Sequence, residues 1–177
     1  NRFLPAAVDF KTQAKIVRQL GLRIDPANQK YYGFIFQEIA VTGSDPFFGN
    51  GADVTVIFRL KRKDTFLGQV SDYRNYFKSQ GAVATQVDVG SVRAELLSTP
   101  DHSVHSYLVS MPGDIVILST SAAALKRVLA VSRKESPSLA EQDEFRYMRS
   151  VYPYTPDGEA AFLYLSDPFI RRLTGPE

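Results

Sequence analysis

Between residues 83 and 118 the chain alternates apolar and polar side chains with a period of two, interrupted by three sets of turn-forming residues. Val83, Thr85, Val87 and Val89 form one alternating set and Val92, Ala94 and Leu96 the next, with Gly90 and Ser91 between them. That pattern predicts strands, either as a hairpin or as one long strand bent at Gly90. Pro100 and Asp101 then turn the chain into a strand over 102–111, and Pro112, Gly113 and Asp114 turn it again into the apolar run Ile115 to Leu118. The run is too short for a helix and suits a strand covered on both faces. Successive strands with short polar turns predict an antiparallel meander.

The segment Gly113 to Val131, GDIVILSTSAAALKRVLAV, is the centre of this arrangement. Ser119, Thr120 and Ser121 follow the strand and offer side-chain oxygens to the free amides of a helix start, and three alanines come next. Leu125, Val128 and Leu129 then recur at helical spacing, which gives an amphipathic helix with Lys126 and Arg127 on its other side.

Before the meander, the spacing of Phe10, Ile16, Val17 and Leu20 predicts a helix over 7–20, ended by Gly21. Asp25-Pro26 breaks the pattern, and the aromatic stretch Tyr31 to Ile39 fits a helical turn or the entry to a strand. Strands are predicted over 38–42 and 53–60, the second with Val54, Val56, Phe58 and Leu60 on one face; the connection carries Phe47 and Phe48. A helix follows, capped by Asp64 or Thr65, with Phe66, Val70, Tyr73 and Phe77 as its buried stripe up to Gly81. After residue 131, Ser138 and Glu141 form a capping-box pattern opening a helix over 139–150. A last strand over 160–165 leads to Asp167 and Pro168, which open a short closing helix. The tetrapeptide Ser-Asp-Pro-Phe occurs at 44–47 and at 166–169, in both places as a helix or turn opener.

The fold class is therefore α+β, a mostly antiparallel sheet of about six strands packed against amphipathic helices. A chain of 177 residues with 44% hydrophobic content can bury a real core, which predicts one domain over 1–177. The opening on Asn1 and the close directly after a helix suggest a piece of a longer protein. A formal charge of +2 with both signs interspersed gives no footprint for nucleic acid, and no apolar run nears the roughly eighteen residues of a membrane span. There is no cysteine, which excludes disulfides, thiolate nucleophiles and cysteine-ligated metals.

Candidate chemistry is sparse. His102 and His105 lie three apart, so a strand would send them to opposite faces unless a turn intervenes. Ser119 and Ser121 sit at a strand-to-helix turn but lack the glycines of a nucleophile elbow, and helix capping explains them. Alanines replace the glycines that a phosphate loop would need at the same helix start. The carboxylates form no pair spaced for acid–base work, so no catalytic residue, metal site or cofactor is assigned. Tyr31, Tyr32, Phe47 and Phe48 are the aromatic candidates for contact with a partner.

The segments ILSTSAAALKRVLAV (117–131), SLAEQDEFRYMRSVYP (138–153) and AAFLYLSDPFIRRL (160–173), preceded by EIAVTGSDPFFGNGADVTVIFRL (38–60), resemble large uncharacterised bacterial proteins of an exported domain-of-unknown-function type. The resemblance implies a bacterial envelope or periplasmic setting rather than a cytoplasmic one, and carries no catalytic residue. The leading expectation is a non-enzymatic binding or scaffolding domain that contacts a protein partner or neighbouring domains of its own chain. A hydrolase with a site near His102, His105 and Ser119 is the alternative, and a small-molecule or lipid sensor with a pocket between sheet and helices is the third.

Overall fold

The computed structural model describes residues 11–23, 30–43, 53–153, 155 and 161–174. Two compact units divide the chain, Asn1–Leu125 and Lys126–Glu177. The first holds a six-stranded antiparallel sheet in the order β1-β2-β6-β5-β4-β3, with β1 at Phe36–Thr42, β2 at Thr55–Leu60, β3 at Val83–Val89, β4 at Val92–Ser98, β5 at His105–Met111 and β6 at Ile115–Ser119. The α+β class and the meander of β3 to β6 are as the pattern predicts. Gly90, with φ of 63°, occupies the first position of the two-residue turn between Val89 and Val92, so the β3–β4 segment is a hairpin. The meander closes on the first hairpin through β6, where Thr55 pairs with Ser119 and Arg59 with Ile115.

One face of the sheet carries Val56, Phe58 and Leu60 from β2 and Val116 and Leu118 from β6, packed with Leu20, Val54, Phe66 and Val70. Phe66 and Val70 come from α3 (Lys63–Ser79), and Leu20 ends α1 (Thr12–Gln19). Phe58 and Phe66 have ring centres 4.8 Å apart, with Phe36 at 5.6 and 5.4 Å from them. A second cluster on α3's last turns joins Phe77 and Ala82 to Leu97 and Val104. Between these clusters the helix buries Arg74, not the expected Tyr73, which is only half-buried. Helical spacing from Val70 allows either position, and Arg74 wins because Glu95 stands opposite it on β4: Nε donates to Oε1 at 2.8 Å and Nη2 to the Glu95 carbonyl at 3.0 Å.

α1 ends in a Schellman motif, with Leu22 N–H donating to Val17 O at 3.0 Å and Gly21 N–H to Arg18 O at 2.9 Å. Gly21 has φ of +68°, a left-handed conformation that favours glycine, while a Cβ there would meet Leu97 Cδ2 only at ordinary contact distance, 3.5 Å. The predicted start of this helix at residue 7 and the Asp25-Pro26 turn lie outside the described residues. The aromatic stretch supplies both of its readings in sequence, a helical turn α2 (Tyr32–Ile35) running directly into β1. α3 starts at Lys63 with Arg62 as its N-cap and no side-chain cap bond, in place of the expected cap at Asp64 or Thr65.

α4 (Ala122–Ser132) begins in the first unit and ends in the second. The second unit continues with a 3₁₀ turn at Leu139–Glu141, α5 (Asp143–Val151) and α6 (Asp167–Thr174). The expected capping box is present: Ser138 N–H donates to Glu141 Oε2 at 2.6 Å. It opens the 3₁₀ turn, however, and α5 starts two residues later as a separate helix. Residues 161–166 are not a strand, contrary to the period-two pattern. Phe162 and Tyr164, two apart in the chain, both pack edge-on against Phe145 at 6.0 and 5.2 Å, so aromatic contact takes the place of a ladder. In α6 the Asp167 carboxylate accepts from Arg171 Nε at 2.7 Å, one helical turn on.

Candidate functional site

The β4–β5 connection brings the two histidines together. Thr99 N–H donates to Val104 O at 2.9 Å, and the Thr99 hydroxyl accepts from Val104 N–H at 3.0 Å, which pins both ends of the loop. Within it Asp101 Oδ1 accepts from Ser103 N–H at 3.1 Å, and hydrogen bonds from Thr99 and Ser103 hold this exposed carboxyl down to about 2. His102 has φ of 55°, a left-handed turn that reverses the strand geometry and stacks its ring on His105 with centres 4.8 Å apart and planes within 1°. Each imidazole lone pair lies in its own ring plane, so two parallel rings do not converge on one ion. No group of three or more His, Cys, Asp or Glu clusters around a metal-sized space among the described residues. His105 Nδ1 lies 3.0 Å from the Ser98 hydroxyl, and burial, followed by the charge of His102, pushes its pKa below the usual 6.5.

Ser119 is not joined to this pair. Its hydroxyl is fully buried on β6, donates to Ser121 O at 3.0 Å, accepts from Ser121 N–H at 3.2 Å and lies 2.8 Å from Thr55 Oγ1. With its proton given to the Ser121 carbonyl, it must accept from Thr55, leaving no hydrogen bond to a base. Thr120 likewise turns to the residue before β2, where its hydroxyl accepts from Val54 N–H at 3.0 Å. Of the three predicted caps, Ser121 serves α4, accepting from Ala124 N–H at 3.3 Å. The other two clasp the strand beside them.

Of the aromatic candidates, Tyr31 is half exposed and Tyr32 packs edge-on against Phe36 at 5.6 Å, while Phe47 and Phe48 lie outside the described residues. Beside Tyr31, Phe34 is 72% exposed, and on β1 Ile39 is 52% and Val41 68% exposed. Ile39 pairs with Phe58 and Val41 with Val56, so both lie on the face that forms the core one strand further in. The buried apolar row therefore runs out to the sheet edge and emerges into solvent there.

A groove of about 340 Å³ lies between α1 and the end of α3, lined by Ala14, Val17, Leu22 and Phe77 with Arg18, Arg23 and Tyr76. Sequence reasoning passed over it. Its one linear signal is the stretch 11–23, which carries Lys11, Lys15, Arg18 and Arg23 and no acid. No protein-family model matches this chain, and neither a curated protein nor a solved structure does. Among the described residues no helix is long and apolar enough to cross a membrane.

Proposed function

We propose that this chain is a non-enzymatic binding domain whose contact surface is the outer edge of β1, which pairs with no further strand among the described residues. The observation that carries the reading is the exposure of Ile39 and Val41 beside the buried Phe58 and Val56 with which they pair. An edge strand offers unpaired amides and carbonyls, and edges that must stay single are blunted by lysine, proline or a cover. Residues 36–42, FQEIAVT, contain none of the first two, and their one charge, Glu38, is paired with Arg59 at 3.3 Å. An extended segment of a protein partner, or of a neighbouring domain of the same chain, would add as a seventh strand and cover Ile39, Val41 and Phe34. The resemblance to exported bacterial proteins supports a partner within the cell envelope.

The bonding of Ser119 to Thr55 and Ser121 favours this reading over a hydrolase. A photo-crosslinking residue placed at Val41 should give discrete adducts in cells, and the same residue at exposed Gln86 should not. Ile39→Lys with Val41→Lys, checked by circular dichroism for an intact sheet, should abolish those adducts. Adducts that survive the double lysine variant, or that arise equally from Gln86, would refute the edge as the contact surface.

A further inference from the structure

The groove between α1 and α3 has a chemical polarity that does not depend on the β1 edge. Arg18 and Arg23 are exposed, and neither makes an ion pair with a described residue. Their positions are set instead by aromatic rings: the Arg18 guanidinium carbon lies 5.6 Å from the centre of Phe77, and that of Arg23 lies 4.3 Å from the centre of Tyr76. Those two rings are themselves neighbours, 5.3 Å apart, so two cations are held on adjacent supports along one groove. A ring face attracts the charge without using any N–H donor, which leaves both guanidinium forks able to take a carboxylate or phosphate. Both arginines line the same groove, and no acidic residue is among the residues that line it.

The floor supplies the other half of the chemistry. Val17 and Leu22 are half-buried and Phe77 is buried, and together with Ala14 they present an apolar strip against which a small inorganic ion would gain nothing. The volume of about 340 Å³ lies at the small end of the range of ligand pockets. We propose that this groove binds a small amphiphilic anion, its acyl or aryl body against Val17, Leu22 and Phe77 and its carboxylate or phosphate head between Arg18 and Arg23.

The test uses the whole chain and four probes: octanoate, octyl phosphate, octanol and inorganic phosphate, with binding read from the methyl resonances of Val17 and Leu22. Octanoate or octyl phosphate should shift both residues, and the tighter of the two identifies the head group. Octanol and inorganic phosphate should each bind at least about tenfold more weakly, a difference of ~1.4 kcal/mol. Arg18→Gln with Arg23→Gln should bring the anions down to the affinity of octanol, while Arg18→Lys with Arg23→Lys, which keeps the charges, should hold an intermediate affinity. Octanol binding as well as octanoate, phosphate alone binding as well as octyl phosphate, unchanged anion affinity in the double glutamine variant, or no methyl shift up to about 1 mM probe would each overturn the proposal.

Discussion

Glu95→Gln should destabilise the sheet unit more than Arg74→Met does, although the arginine is the buried member of the pair. The Arg74 side chain is 3% exposed and that of Glu95 31%, with the closest atoms at 2.8 Å. Burial pulls the guanidinium's pKa below its ordinary value, and only Glu95 opposes that effect, through its hydrogen bond and its charge. With charge centres about 4 Å apart and an effective dielectric near 20, the attraction is roughly 4 kcal/mol. Glutamine keeps an acceptor for Nε, and the half-exposed carboxylate is partly screened by solvent, so the net loss should be about 2 kcal/mol. In the Arg74→Met variant the buried charge disappears together with Nη1, which has no hydrogen-bond partner in its buried position, and an apolar chain of similar length fills the space. Replacing a whole buried ion pair with hydrophobic residues is commonly neutral or stabilising; methionine leaves Glu95 behind, but that carboxylate is 31% exposed and water can solvate it, so the change should stay within about 1 kcal/mol of zero. Urea unfolding followed by circular dichroism at pH 7 reads both variants. For a slope of ~2 kcal/mol per molar urea, Glu95→Gln should lower the midpoint by about 1 M. Equal stability of Glu95→Gln and the parent, or a larger loss in Arg74→Met, would refute the reasoning.

Two further outcomes follow from buried polar groups. Thr55→Val removes the hydroxyl that donates to buried Ser119 and should cost about 1–2 kcal/mol in thermal unfolding, whereas Thr55→Ser restores most of it; a neutral valine variant would show that this bond contributes nothing. His105 has a pKa below 6.5 because the folded environment disfavours its charged form, so the unfolded chain takes up a proton at higher pH than the folded one. Stability from this residue is therefore complete above about pH 6.5 and falls as pH drops below it, toward the lowered folded value. The slope of unfolding midpoint against pH in that window should flatten in His105→Gln, and a parent slope of zero would count against the shift.

The elements that could be read from the chain are those whose pattern is self-sufficient. Alternation with turn residues marked the strands of the meander, because each pairs with the next across a short connection, but it left β3 and β4 open as a hairpin or one bent strand and started β5 three residues early. The apolar run Ile115 to Leu118 was legible as a buried strand for the same local reason. Pairing of β2 with β6 was not, since Thr55 and Ser119 are far apart in the chain and nothing local marks either as the other's neighbour. Residues 161–166 show the opposite failure. Their period of two is real, as the common packing of Phe162 and Tyr164 on Phe145 demonstrates, but a strand requires a partner ladder that period alone does not provide.

The same distinction explains which functional features could be anticipated. Ser119, Thr120 and Ser121 were all potential caps by their place before a helix, yet two of them found partners at the start of β2, Thr55 and the preceding Val54, because a buried hydroxyl bonds whatever the neighbouring strand presents. The histidine pair depended on a left-handed residue at His102, a conformation that histidine side-chain chemistry does not announce. Arg18 and Arg23 depended on aromatic rings that lie more than fifty residues away along the chain. A cation–π support requires no complementary charge nearby in sequence, so both arginines resemble ordinary solvated cations until the fold sets Tyr76 and Phe77 beneath them. The missing acids between residues 11 and 23 were visible all along; what gives that absence meaning is the apolar floor that folding builds next to it.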